Sequence, residues 1–334
     1  MRHLLRRALF LAGVVAAILA VALAGAALVL RQPSVGRDER VLVRRASALN
    51  LERHVRALTI DFHPRDSDHP ENLSKAAGYV AARFAAAGAR VERQEFSIRG
   101  ARFENVIGRF GPAEGQPLIV GAHYDAFGGF GDNPGADDNA SGTAGLMELA
   151  RLLQGTDLRR PVELVAFSTE EPPFFASPGM GSAVHAESLA ARGIEPAGMI
   201  CLEMIGFFSP NQPWPHWFLG LLYPDRGDFI GVAGRFQDRR LARAVKRAFR
   251  GASTVPVYSF NGPAGMTEAS DQRSYWAHGW EAVMVTDTAF VRNPNYHSPA
   301  DTASTLDYRR MAGVVDGVAN VVLQAGTAFL ESGP

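Results

Sequence analysis

The stretch Leu118-Ile119-Val120-Gly121-Ala122-His123-Tyr124-Asp125 is apolar as far as residue 122 and then turns polar. Further on, Gly135-Ala136-Asp137-Asp138-Asn139-Ala140-Ser141-Gly142 leads into a helical pattern over residues 141–154. A second short run, Val162-Glu163-Leu164-Val165-Ala166-Phe167, ends in Ser168-Thr169-Glu170-Glu171. Short apolar runs bounded by Gly, Pro and Asp suit strands covered on both faces, and strand, helix and strand in succession form a parallel unit. The same alternation continues on either side. Residues 91–98, 103–110, 199–204 and 282–286 read as further strands, and residues 41–58, 72–88, 179–192, 237–250 and 306–329 as helices. In the helix at 72–88, Ala76, Tyr79, Val80, Ala82, Phe84 and Ala85 recur on a period near 3.6, with Gly88 as the stop. The expected fold is an α/β, three-layer domain with a mixed, largely parallel twisted sheet between helices. It spans residues 41–334 with no internal repeat, behind a linker at 32–40.

The composition excludes several classes of function. With 34 Lys+Arg against 34 Asp+Glu, 47% hydrophobic and 20% charged residues, the chain is balanced for a large buried core and against disorder. A formal net charge of zero argues against bulk nucleic-acid binding. A single cysteine, Cys201, rules out an intrachain disulfide and a cysteine-based zinc site, so any metal must take His and carboxylate ligands. Only Lys75 and Lys246 are lysine; the basic charge is otherwise arginine.

Residues 8–30 carry no charged or strongly polar side chain and follow Arg2, Arg6 and Arg7. As a helix at about 1.5 Å per residue they reach about 34 Å, enough to cross a hydrocarbon core of about 30 Å. The run exceeds the roughly 7–15 residues of a signal-peptide core, so residues 1–31 are expected to be a short tail and an uncleaved single-pass anchor, with secretion after cleavage as the alternative. Arginines on both sides leave a positive-inside count undecided. The usual arrangement behind a short tail puts the following domain outside the cytoplasm, here the periplasmic side of a bacterial inner membrane.

Ligands of open α/β sheets bind beyond the carboxyl ends of strands, so polar residues just after apolar runs are the informative ones. His123, with Asp125 two residues on, has the spacing of an imidazole oriented by a carboxylate. Asp137 and Asp138 are adjacent acids that would repel in a dry pocket without a cation, while Asn139 or Ser141 suits a helix N-cap. Glu170 and Glu171 follow a buried-type strand, and Glu203 interrupts the apolar run Met199-Ile200-Cys201-Leu202-Glu203-Met204-Ile205, where an unpaired charge costs several kcal/mol. His297 lies in the loop Asn293-Pro294-Asn295-Tyr296-His297-Ser298-Pro299-Ala300-Asp301-Thr302. Each feature alone has an ordinary structural reading. Together, two imidazoles and several carboxylates at strand ends suit a dinuclear Zn²⁺ site. His185 falls on a helix and reads as a packing residue. Trp214, Trp217, Phe207, Phe208, Tyr258 and Phe260 read first as core and second as the lining of an apolar pocket.

The ordered series His123-x-Asp125, Gly135 to Gly142, Thr169-Glu-Glu171, Leu202-Glu-Met-Ile-Gly206 and Asn295-Tyr-His-Ser-Pro-Ala-Asp-Thr302 resembles the M28 family of zinc peptidases, which includes bacterial aminopeptidases and glutaminyl cyclases. The resemblance runs from about Leu51 to the C-terminal helix. It implies that Asp137 bridges two zinc ions, with His123 and Glu203 on one and Glu171 and His297 on the other. It also implies that Glu170 is the general base and that Asp125 orients His123. One departure is that the Glu203 position is commonly Asp in this family; Glu is one methylene longer and still able to ligate, and a single zinc is the alternative stoichiometry. The implied function is an aminopeptidase acting on peptides with a free N-terminus. The competing readings are glutaminyl-peptide cyclisation on one zinc and a catalytically silent, membrane-anchored binding domain. No Gly-x-Ser-x-Gly elbow, His-Glu-x-x-His, Walker A loop or Rossmann glycine set occurs.

Overall fold

Four parallel strands form the centre of the molecule, and all four end on the same side. They are β3 (Leu118–His123), β4 (Val162–Phe167), β5 (Gly198–Glu203) and β8 (Ala282–Thr286), in the order β4-β3-β5-β8. The long hairpin β1 (Arg90–Ile98) and β2 (Ala101–Phe110) joins antiparallel at β4. Strands β6 (Ile230–Arg235) and β7 (Val257–Gly262) complete the other side, giving one mixed eight-stranded sheet. The structure, a computed structural model, describes residues 2–32, 36–129, 131–263 and 267–325. Parts of the expected linker and the last residues of the expected helix at 306–329 lie outside this set.

Alternate residues of the central strands enter two separate cores, as the pleat requires. Leu118, Val120 and Ala122 pack into the larger core with α2 (Ala48–Arg56), α3 (Pro70–Ala86), α4 (Gly142–Leu153), α7 (Arg239–Ala252) and α9 (Tyr308–Gln324). Ile119, Phe167, Met199 and Met284 pack on the opposite face with α5 (Gly181–Ala191) and α8 (Gln272–Trp276). A four-residue helix, α6 (Leu219–Leu222), lies in the long β5–β6 connection. The three-layer expectation is met. Gly121 is needed inside β3 because a Cβ there would lie 2.2 Å from the Phe167 ring.

The expected helix at 41–58 starts only at Ala48. Three backbone N–H groups ahead of it are taken by buried side chains: Val41 N donates to Asn320 Oδ1, Ala46 N to Asp316 Oδ1 and Ser47 N to Glu148 Oε1. These bonds hold the segment out of the helix, and Ser47 then caps α2 by accepting from Asn50 N. At the N-terminus, α1 (Arg2–Arg31) is exposed over almost its whole length, and residues Leu5–Arg31 are long and apolar enough to cross a membrane.

Candidate metal centre

The carboxyl ends of β3, β4 and β5 and the loop after β8 converge on one buried point. His123 is the last residue of β3, and its Nδ1 faces Asp125, 3.2 Å from the backbone oxygen and 3.4 Å from Oδ1. The other nitrogen, Nε2, points into the cluster, 3.3 Å from Asp138 Oδ1, 3.4 Å from Glu203 Oε2 and 3.9 Å from Glu170 Oε2. His297 arrives from the far loop. Its Nε2 lies 3.1 Å from Asp138 Oδ2 and 3.2 Å from Glu171 Oε2, and its ring is stacked between Phe127 and Tyr296. Asp138 therefore presents one oxygen to each imidazole.

This corrects the expectation for Asp137. Its side chain turns the other way: Oδ1 accepts from Gly206 N at 3.0 Å and Oδ2 from Asn293 Nδ2 at 2.8 Å. The local backbone decides the matter. Gly135 adopts φ 59° and ψ 53°, a left-handed conformation that glycine tolerates best, and a Cβ there would lie 2.4 Å from the Asp138 backbone oxygen. The N–H groups of Asp137 and Asp138 both donate to the buried Asp301 carboxylate, which fixes the turn. Asn139 fills the capping role, accepting from Gly142 N at 3.0 Å. The other expected residues are brought together: His123, Asp125, Glu170, Glu171, Glu203 and His297. Asp125 accepts from the N–H groups of Glu170 and Glu171, holding both acids in place. The longer side chain of Glu203 still reaches the cluster, where Oε2 accepts from Ser270 Oγ at 2.6 Å and from Asn139 Nδ2 at 3.3 Å. His185 lies elsewhere, as a packing residue would, between the Tyr275 hydroxyl and Glu163.

The site has more carboxylates than cations to match them, and its titration shows this. Burial, with Asp138 adding repulsion, pushes Glu171 up to about 8. Burial, together with Asp137, lifts Asp301 to about 8. Burial also holds the Glu170 carboxyl well above its ordinary range, with Glu171 and Glu203 adding repulsion against the opposing pull of His123. Burial opposes the His297 imidazolium, but the nearby Asp138 and Glu171 carboxylates outweigh it and raise the group to about 9. Burial likewise opposes the Asp138 carboxylate, and the two imidazoles overcome it and hold the group below its usual value.

The donor set fits a metal. Among the described residues, His123 Nε2, His297 Nε2 and Glu171 Oε1 are buried atoms without a hydrogen-bond partner, and ligand atoms of His123, Asp138 and Glu171 all lie within 4.8 Å of one another. Orphaned buried polar atoms are costly, and a divalent cation satisfies imidazole and carboxylate donors together. Mixed nitrogen and oxygen ligands of this kind suit zinc.

One supporting residue gave no signal in the sequence. Arg65, fully buried, donates from Nε to Tyr124 O, from Nη1 to Leu58 O and Pro134 O, and from Nη2 to Gly135 O. It ties the β3 end and the Gly135 turn to the loop after α2 and places a positive charge behind the acids. Arg65→Met strands these carbonyls and removes a buried counter-charge. The expected loss of stability is about 3–5 kcal/mol, measured by denaturant melts.

Comparison with known proteins agrees with this geometry. The model of Peptidase family M28 matches residues 105–322, which include all seven of the expected site residues. The Escherichia coli K12 protein YfbL, described as uncharacterised, is 48% identical over 82% of this chain and 87% of its own length. Leucine aminopeptidase 1 of Coccidioides posadasii is 26% identical over 65% of this chain. The match covers 56% of the fungal protein, so the chain spans little more than half of that relative. Among solved structures, the LapA aminopeptidase of Legionella pneumophila superposes with a TM-score of 0.70 at 18% identity, covering 84% of this chain and 72% of that one, a likeness of fold. With a family match that spans the strand ends building the cluster, this chain belongs to peptidase family M28.

Proposed function

We propose that this chain is a zinc-dependent aminopeptidase with a dinuclear centre, in which His123, Asp138 and Glu203 hold one ion and His297, Asp138 and Glu171 hold the other. The observation that carries this reading is Asp138, whose two oxygens face two different imidazoles, each with an Nε2 that has no hydrogen-bond partner among the described residues. Zinc, when bound, supplies Lewis acidity, lowering the pKa of the attacking water to about 7 and polarising the peptide carbonyl. The protein's own residues do the rest. Glu170 lines a cavity of about 350 Å³ together with Asp138, Glu171, Glu203 and His297, within reach of a peptide bound there. Burial raises its affinity for a proton, so in its ionised form it accepts one from the attacking water and then delivers it to the departing amine. Asp125 fixes the His123 ring from behind. Glu268 also lines the cavity and supplies a carboxylate for the free α-ammonium of the substrate.

The N-terminal helix, in this reading, anchors the enzyme in a bacterial inner membrane with the catalytic domain on the periplasmic side. The test uses the full chain in detergent with aminoacyl-arylamides. Chelation is expected to abolish arylamine release, zinc to restore it, and metal analysis to give two zinc ions per chain. Activity that survives thorough chelation sinks the proposal. One zinc with ammonia released from a glutaminyl substrate assigns cyclisation instead, and zinc binding without turnover of either kind assigns a silent binding domain.

A further inference from the structure

A second cavity, about 270 Å³, opens beside the metal centre and shares Glu203, Phe290 and Tyr296 with it or its approach. Its walls are mostly apolar and include Trp214, Leu219, Tyr223, Phe260 and Met284. One wall comes from an unexpected place: Leu30, in the last turn of the N-terminal helix α1.

That turn is fastened to the catalytic domain by side chains that cap its carbonyls. Lys246, one of two lysines in the chain and 2% exposed, donates to the carbonyls of Arg31 and Gln32 and to Ser259 Oγ. Ser259 Oγ donates to Arg31 O at 2.6 Å, and Asn261 Nδ2 to Leu30 O at 3.3 Å. The Arg31 guanidinium lies over the Tyr258 ring, 5.2 Å from its centre. The last carbonyls of a helix lack intrahelical partners and carry its negative pole, so a buried ammonium and two further donors aimed at them make a latch. The rest of α1 leaves the domain and is exposed.

We propose that the end of α1 is a working part of the site: Leu30, held by the Lys246–Ser259–Asn261 latch, closes the apolar cavity and sets the size of the side chain accepted next to the scissile bond. The helix is then a specificity wall as well as an anchor, and the preferred substrates carry a large apolar N-terminal residue. This rests on the aminopeptidase reading, so the test has one arm that needs no turnover.

In the first arm, the full chain in detergent is assayed with leucyl- and alanyl-arylamide. Leu30→Ala is expected to raise KM for the leucyl substrate by about five- to tenfold at unchanged kcat, and to leave the alanyl substrate as it was. Val29→Ala, on the exposed side of the same turn, changes neither. A Leu30→Ala enzyme that shifts both substrates equally, or neither, overturns the proposal. In the second arm, trypsin is added and the N-terminal fragments are weighed. The Arg31 carbonyl is engaged by the latch, so the wild-type chain resists cleavage after Arg31 while Arg37 is cut. Lys246→Met speeds the Arg31 cut at least tenfold and leaves the Arg37 cut unchanged. Equal Arg31 cleavage in the two proteins overturns the proposal even if the chain hydrolyses no arylamide; protection that Lys246→Met removes sustains the latch even if the aminopeptidase reading fails.

Discussion

Glu170→Gln is expected to lower kcat at least about a hundredfold while zinc content, Tm and KM stay near wild type. The substitution keeps the size of the side chain and leaves the Glu170 N–H on Asp125 untouched. It removes only the ability to accept and release a proton. Burial beside Glu171 and Glu203 holds this carboxyl well above its ordinary range, which would suit the proposed base, since it must both accept and return a proton. Steady-state kinetics on an arylamide, read beside metal analysis of the same sample, check the result. Near-normal turnover would remove Glu170 from the mechanism and leave the ligand assignment standing.

Asp138→Ala is expected to cost still more, because it withdraws a carboxylate that faces both imidazoles. Activity should drop to background, and the rise of Tm on adding zinc should vanish. For a native state that binds its metal, that rise is worth about 4 kcal/mol at a thousand times Kd. Asp137→Asn provides the contrast. Burial beside Asp287 holds the Asp137 carboxyl well above its usual range, so an amide resembles its protonated form, and its bonds run to Gly206 and Asn293, away from the imidazoles. This variant should keep the zinc-dependent rise in Tm. Thermal melts with and without zinc distinguish the two acids. The reverse pattern, with zinc response lost in Asp137→Asn and kept in Asp138→Ala, would return the bridging role to Asp137.

The central strands were legible because a strand covered on both faces must be apolar at nearly every position, as Leu118 to Ala122 and Ala282 to Thr286 are. Strands β6 and β7 were not, since Gly231 and Gly234 thin one run and Ser259 and Asn261 interrupt the other. Most of the site residues could be read for a related reason: polar groups that directly follow such strands have few other uses. The choice between Asp137 and Asp138 was hidden. Two adjacent acids differ only in the direction that a turn gives them, and that direction depends on the Gly135 conformation and on Asp301, far along the chain. Arg65 was hidden as well, within a loop of polar residues and prolines whose composition suits solvent and whose inward course is set by backbone carbonyls of Leu58 nearby and of two distant segments, at Tyr124 and Pro134.

The two outermost strands of the sheet are protected by different means. Strand β1 exposes Arg90, Glu92, Arg93 and Glu95, charges that discourage another chain from pairing alongside. Strand β7 has no such fringe, and the last turn of α1 lies against it instead. A chain clipped ahead of Gln32 would therefore lose more than an apolar helix. It would bare an unguarded row of backbone donors and acceptors, a template for self-association.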